Sequence, residues 1–140
     1  YHNGGNLGSS LRLAKDIMVT GKKMPVIDCK KSFDQALKVM NQKKLGIVVI
    51  TKNKYIEGII TDGDLRRVLD NSSKEKKLHE IIRHSPLVIN ENTPASRALG
   101  IMNENKITSL LVVADKNYKN KNRTLKGIIH IHFLLQNGIK

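Results

Sequence analysis

A hydroxyl, two carboxylates and a glycine lie close together within residues 58–67, where a predicted strand turns into a predicted helix. The first turn of a helix has unpaired N–H groups and carries about half a positive charge, so it favours a phosphate. Thr61 adds a hydroxyl there, Asp64 offers a carboxylate that can accept hydrogen bonds from a sugar diol, and Gly63 leaves room for a ligand. With the amides of Asp62 and Gly63 as further donors, these residues predict a nucleotide-binding turn.

The same residues also fit an ordinary helix start. Thr61 or Asp62 would then cap the helix for about 1 kcal/mol, and Asp64 would only complement the helix dipole. Arg66 and Arg67 are open in the same way, because they either reach a ligand phosphate or belong to a solvated helix face. Short motifs are hypotheses, so the rest of the chain has to decide between these alternatives.

The elements that would position this turn follow one another in the order strand, helix, strand, strand, helix. The extended piece is Pro25-Val26-Ile27, and a capping box at Ser32 starts an amphipathic helix. Gly46 is predicted to end that helix. Residues 47–50 are predicted to form a buried strand, and residues 55–60 the strand that leads into the turn.

The same order returns in the second half of the chain. Residues 86–89 are extended, and Thr93 is predicted to cap a helix with proline at its first position. Residues 110–113 repeat the buried strand, and Gly127-Ile128-Ile129 repeats the strand before the turn. A Lys- and Asn-rich insertion over 114–123 lengthens the second copy, as a surface loop allows. Each copy has an exposed apolar helix face, so the sequence predicts an α/β (α+β) protein of two copies packed together.

This repeat, in which Gly-Ile-Ile-Thr-x-x-Asp occupies 58–64, resembles the tandem cystathionine-β-synthase-type (CBS) domain pair. The resemblance implies two repeats related by a pseudo-two-fold axis, with clefts between them that bind adenosine or other nucleotides. The expected repeats are 12–73 and 74–140. The resemblance implies that Thr61 holds phosphate and that Asp64 holds ribose. The residues expected to complete the cleft are Pro25, Val26 and Ile27, together with Gly46 and Ile47.

The second copy departs from this pattern, since His130 and Phe133 stand where the first copy has Thr61 and Asp64. Phe133 cannot accept hydrogen bonds from ribose. Either the second cleft has lost its ligand, or His130 and His132 contact a ligand together from one face of a strand. Two histidines without Cys or carboxylate partners are weak grounds for zinc, so no metal site is expected.

The ends of the chain resemble the bacterial D-arabinose-5-phosphate isomerases, in which a similar junction joins a sugar-isomerase domain to a CBS pair. The matching stretches are Tyr1-His2-Asn3-Gly4-Gly5-Asn6-Leu7-Gly8 and residues 127–138, with Asn3 and Phe133 as mismatches. Residues 1–11 would then be the linker from an isomerase domain that this chain lacks. His2 stands at the family's active-site histidine. That family interconverts D-ribulose 5-phosphate and D-arabinose 5-phosphate on the way to Kdo, a sugar of lipopolysaccharide or capsule.

The resemblance therefore implies a regulatory module of such an isomerase. We expect it to sense a nucleotide or nucleotide-sugar, with AMP, ATP or CMP-Kdo as effector, and to need no cofactor. These 140 residues are expected to catalyse no isomerisation by themselves. A homodimer through the pair is expected, and a higher oligomer in the full-length enzyme. Two alternatives are a ligand-free dimerisation module and the CBS pair of a sugar-nucleotide transferase.

Composition limits the other classes of function. The formal net charge is +13, but the lysines are spread along the chain without interleaved aromatics, so no specific nucleic-acid partner is expected. No apolar run approaches the length of a membrane span. Cys29 is the single cysteine and cannot form an internal disulfide, which favours a reducing cytoplasm.

Overall fold

The computed structural model describes residues 11–70 and 77–140, and the chain divides into two compact units. The first unit is Lys22–Pro86, and the second unit joins the segment up to Gly21 to Leu87–Lys140. The elements of the first unit are β1 (Val26–Asp28), α2 (Phe33–Lys43), β2 (Ile47–Lys52), β3 (Tyr55–Thr61), α3 (Asp62–Asp70), α4 (Leu78–Ile81) and β4 (Arg83–His84). Those of the second unit are α1 (Ala14–Ile17), β5 (Val88–Asn90), α5 (Ala95–Asn105), β6 (Ser109–Val113), β7 (Gly127–His130) and α6 (Ile131–Gln136). Short 3-10 turns lie at Gly21–Lys23 and Asp115–Asn117.

The sheet of the first unit has the strand order β1-β2-β3-β4. β1 runs parallel to β2, and the other two pairs are antiparallel. β2 is apolar and almost wholly buried, as expected for a strand with neighbours on both edges. Its core contains side chains from β1, α2, β2, β3, α3 and α4: Ile27, Phe33, Ala36, Met40, Val48, Ile50, Ile60, Leu65, Val68 and Leu78.

The second unit repeats this plan with a sheet of order β5-β6-β7, again with one parallel and one antiparallel pair. A single antiparallel bridge from Val19 to Ile128 extends it beyond β7. α1 packs in its core, where Ala14 and Ile17 join residues of the later copy: Ile89, Ala95, Ala98, Leu99, Met102, Leu110, Val112, Ile129, Leu134 and Ile139. The predicted order strand, helix, strand, strand, helix is thus confirmed in both copies.

The first residues of each sequence copy pair with the sheet of the other copy. Arg83 of β4 lies near the start of the second copy and pairs with Ile59, whereas Val19 lies near the start of the first copy and pairs with Ile128. The glycine before each isoleucine makes room. A side chain at Gly58 would overlap the backbone of Arg83, and one at Gly127 would overlap the side chain of Met18. The compact units are therefore offset from the repeats of the sequence.

Two of the predicted helix boundaries need correction. Gly46 does not end α2, because Lys44 already adopts the left-handed conformation (φ 57°) as C-cap, and Gly46 (φ 76°) forms the connection to β2. Thr93 is not the N-cap of α5, which is Pro94. The cause is the α1 segment: the Ala14 amide donates to the Thr93 carbonyl (2.7 Å), and the Ala95 amide donates to the Arg12 carbonyl (2.8 Å). In contrast, the capping box at Ser32 is confirmed, with the Gln35 amide 3.2 Å from Ser32 Oγ.

Candidate functional site

Two of the three predicted cleft segments of the first unit meet at one end of its sheet. Ile47, at the start of β2, pairs with Thr61 at the end of β3, and the Asp62 amide donates to the Gly46 carbonyl (2.9 Å). The third segment lies beside the middle of β2, where the Pro25 carbonyl accepts from the Val49 amide (2.8 Å) and Ile27 pairs with Ile50. Asp62 and Gly63 are exposed, and Thr61, Val26 and Gly46 are half-buried; the side chains of Pro25, Ile27 and Ile47 are buried.

Thr61 and Asp64 form a reciprocal cap at the start of α3. The Thr61 amide donates to Asp64 Oδ2 (3.0 Å), and the Asp64 amide donates to Thr61 Oγ1 (3.1 Å). This is the arrangement that Ser32 and Gln35 make at α2, with aspartate in place of glutamine. The Thr61 oxygen is used as an acceptor, and a hydrogen bond from the Thr61 side chain also helps to lower the pKa of Asp64. The helix-cap alternative is therefore realised.

The Asp64 carboxylate also accepts hydrogen bonds from two arginines. Arg83 binds it as a fork, with Nε 2.9 Å from Oδ2 and Nη2 2.8 Å from Oδ1, and Arg67 Nη2 donates to Oδ1 as well. Asp64 is only 7% exposed, whereas the side chains of Arg67 and Arg83 are 64% and 57% exposed. Burial alone would raise the pKa of Asp64, but hydrogen bonds from Arg83 and Thr61 outweigh it and lower this pKa to about 2. The carboxylate is ionised at any physiological pH.

Arg83 is the residue that sequence reasoning missed. It lies in a two-residue strand far along the chain, and only the pairing of β4 with β3 brings it to Asp64. The signal available was indirect: a basic residue directly follows Ile81 and Ile82. Arg66 points elsewhere, since it pairs with Asp62 at 2.5 Å and its side chain is 70% exposed. Arg66 therefore belongs to the solvated face of α3, and Arg67 to the Asp64 cluster.

The corresponding end of the second unit is built from histidines. His130 ends β7 and its Nδ1 accepts from the His132 amide (3.1 Å), so it caps α6 as Thr61 caps α3. The expected strand geometry for both residues is wrong, because α6 begins at Ile131 and His132 lies in this helix. Their rings nevertheless stack, with centroids 4.7 Å apart. Burial, followed by repulsion from His132, lowers the pKa of His130.

Three predictions concern other parts of the chain. His2 lies outside the described residues. Across 11–70 and 77–140, no group of three or more His, Cys, Asp or Glu could hold a metal ion. No helix in those ranges is both long enough and apolar enough to cross a membrane.

Comparison with known families decides what these repeats are. The family model of the CBS domain matches the chain twice, at residues 14–71 and 78–132. The chain belongs to the CBS domain family. The predicted CBS pair is thereby confirmed, and each CBS repeat ends in one of the strand-to-helix turns described above.

Curated relatives of this chain include arabinose 5-phosphate isomerases. The chain is 37% identical to the arabinose 5-phosphate isomerase of Escherichia coli strain K12 over 142 aligned residues, which cover 99% of the chain and 41% of that enzyme. It is 36% identical to a probable arabinose 5-phosphate isomerase of Haemophilus influenzae (84% and 36% covered) and to an uncharacterised protein of Rickettsia prowazekii (99% and 42%). The chain thus spans about two fifths of the length of these relatives.

Solved CBS structures share the fold. The protein CBSX2 in complex with AMP has a TM-score of 0.75 at 22% identity, covering 90% of this chain and 95% of that one. The CBS pair of protein MJ0100, in complex with 5′-methylthioadenosine and S-adenosyl-L-methionine, has a TM-score of 0.75 at 20% identity (90% and 94% covered). The CBS domain of a bacterial CNNM/CorC family Mg²⁺ transporter in complex with ATP has a TM-score of 0.73 at 16% identity (95% and 91% covered).

Proposed function

We propose that this chain is the regulatory CBS pair of a D-arabinose-5-phosphate isomerase and that it binds a nucleotide or nucleotide-sugar at the turn of residues 61–64. The identity of 37% along 99% of the chain supports the host enzyme. The ligand class is supported by the AMP, ATP and S-adenosyl-L-methionine complexes of its structural neighbours. The observation that carries the site is the meeting of 46–47 with 61–64 at one end of the first sheet.

The groups of this turn suit a phosphorylated ribose. The Thr61 hydroxyl can donate to a phosphate, and Gly63 adds no side chain to the surface. Asp64 contributes an ionised carboxylate beside them. The Asp62 amide already donates to Gly46, so its part is to fix the turn. An effector bound here needs a coupling of only about 1–3 kcal/mol to alter the activity of an attached domain. AMP, ATP and CMP-Kdo are the candidate effectors.

The remaining proposals concern the host protein. We propose that catalysis belongs to a sugar-isomerase domain joined through residues 1–11, with His2 in its active site, and that 12–73 and 74–140 are the two repeats. Similarity to these isomerases also leads us to propose that the host enzyme converts D-ribulose 5-phosphate to D-arabinose 5-phosphate for Kdo synthesis. We further propose a cytoplasmic location and a homodimer through the CBS pair. His130 and His132 are proposed to contact ligand in the second repeat.

Calorimetric titration of the 140-residue chain with AMP, ATP and CMP-Kdo tests the proposed ligand class. We expect at least one to bind, and Thr61→Ala to weaken it about tenfold through loss of the hydroxyl donor. Ser32→Ala is the matched control, because it removes the same kind of cap from α2 and leaves the turn intact. Absence of binding by all three compounds would favour the ligand-free dimerisation module instead.

A further inference from the structure

One carboxylate holds two guanidinium groups at the turn, which leaves unbalanced positive charge. Among the residues that the structure describes, Asp64 is the single acidic group that Arg67 and Arg83 contact, and both arginine side chains are more than half exposed. A guanidinium has more N–H donors than these bonds use. Arg83 contacts Asp64 through Nε and Nη2, and Arg67 through Nη2. No described residue is hydrogen-bonded to the Nη1 atom of either arginine, so these atoms can donate to an anion, and the bonds to Asp64 fix their orientation.

These donors lie beside the predicted ligand surface. A Cβ placed on Gly63 would be 3.8 Å from Arg67 Nη1 and 3.8 Å from Thr61 Oγ1. Arg67 Nη1 and the Thr61 hydroxyl thus flank the same exposed glycine, with no side chain between them. Arg83 is joined to this surface through the Asp64 carboxylate. The arrangement offers charged and neutral donors around one open patch, which suits a phosphate group.

The second unit shows that the fold does not require these charges. The counterparts of Thr61, Asp64 and Arg67 are His130, Phe133 and Gln136, and the counterpart of Arg83 is Val19, paired with the same strand position. All three charged residues are thus replaced by uncharged ones, yet the strand, cap and helix still form. Ion pairs of this kind are weak grounds for stability in any case. The cluster is therefore better explained by ligand binding than by folding.

We propose that Arg67 and Arg83, oriented by Asp64, form an anion site that binds the phosphate of the ligand. Asp64 is then a positioning residue that keeps both guanidinium groups in place, in contrast to the ribose acceptor that family resemblance implies. The identity of the ligand in this proposal rests on the proposed nucleotide function. The binding of an anion rests only on the contacts of Arg67 and Arg83. A nucleotide phosphate and free inorganic phosphate share that chemistry, so the test has to separate them.

The experiment compares ligands with and without a phosphate on the same protein. AMP and adenosine, CMP and cytidine, and inorganic phosphate are titrated into the 140-residue chain at low ionic strength. We expect each nucleotide to bind at least about tenfold more tightly than its nucleoside, which corresponds to one lost charged hydrogen bond. Arg67→Gln and Arg83→Gln should reduce this preference to near unity and leave nucleoside affinity unchanged. Thermal unfolding of each variant verifies that it folds.

Arg66→Gln is the matched control, since it removes the same charge from α3 but pairs with Asp62 on the solvated face. It should change the preference by less than about twofold, as expected for a screened charge. Equal binding of nucleotide and nucleoside to the parent chain overturns the anion site while leaving the proposed function intact. An unchanged preference in Arg83→Gln overturns it as well. A third outcome is that inorganic phosphate binds, that Arg83→Gln abolishes this binding, and that no nucleotide binds more tightly than inorganic phosphate. That outcome supports the anion site and contradicts the nucleotide function. Failure of every ligand contradicts both.

Discussion

Arg83 Nε lies 2.9 Å from Asp64 Oδ2, and this bond ties β4 to the first turn of α3. It depends on the close approach of β4 to β3, because Gly58 faces the backbone of Arg83 where any side chain would overlap it. A glycine in the strand therefore determines where a guanidinium lies at the ligand turn.

Gly58→Ala should destabilise the protein and weaken nucleotide binding together. The added methyl overlaps the Arg83 carbonyl and the Ile82 side chain, and backbone cannot move aside cheaply, so we expect a loss of about 1–3 kcal/mol. Gly127→Ala is the control, because its methyl meets mainly the flexible side chain of Met18 in the second unit. It should cost less stability and leave AMP affinity unchanged. Urea unfolding and calorimetry measure both effects; equal affinity in the two variants would contradict the prediction.

Gly63→Ala should raise stability while lowering ligand affinity. The methyl fits without overlap, and alanine in place of glycine in a helix gains up to about 1 kcal/mol. The same methyl covers the surface between Thr61 Oγ1 and Arg67 Nη1, so AMP should bind more weakly. Gly100→Ala makes the same exchange within α5, where the nearest described atom is Arg97 Nη1 at 3.8 Å. This control should gain stability with no change in binding. Unchanged AMP affinity in Gly63→Ala would place the ligand elsewhere.

Stability should fall as pH drops below about 6.5, in part through His130. Burial and the neighbouring His132 lower its pKa in the folded chain, so the unfolded chain binds the proton more readily. The contribution is present above the ordinary histidine pKa and is lost as pH falls below it. Protonation also removes the Nδ1 acceptor that caps α6. His130→Thr keeps a cap without titrating, so unfolding midpoints at pH 5.5 and pH 8 should differ less in this variant. The same difference in both proteins would exclude His130 as a source.

Ile17→Ala should destabilise the second unit although Ile17 lies in the first repeat of the sequence. Ile17 is 9% exposed in the core of the second unit, and truncation of a buried isoleucine costs about 2–5 kcal/mol. Hydrogen exchange should therefore accelerate in β6 and β7 more than in β2 and β3. Leu11→Ala, at a side chain 68% exposed, should leave both sheets as they were. Equal acceleration in the two units would argue against the assignment of this segment to the second unit.

Local patterns predicted much of this molecule because their physics is local. The capping box of Ser32 and the strand-to-helix turn at Thr61 depend on residues within one helical turn, and both form as expected. The partner of Asp64 could not be found this way, because Arg83 reaches it only through the pairing of β4 with β3. The prediction of Thr93 as a cap is wrong for a similar reason. The local sequence pattern does not contain the contacts of Arg12 and Ala14 that decide where α5 begins.

The offset between sequence copies and compact units determines where the chain can be divided. A cut between the copies would separate β3 from β4, so Arg83 and Asp64 would be on different fragments. It would also separate Ile17 from the core of the second unit, in which it packs. Division at the borders of Lys22–Pro86 keeps Thr61, Gly63, Asp64 and both arginines on a single polypeptide. That stretch therefore carries the whole of the proposed anion site within one compact unit.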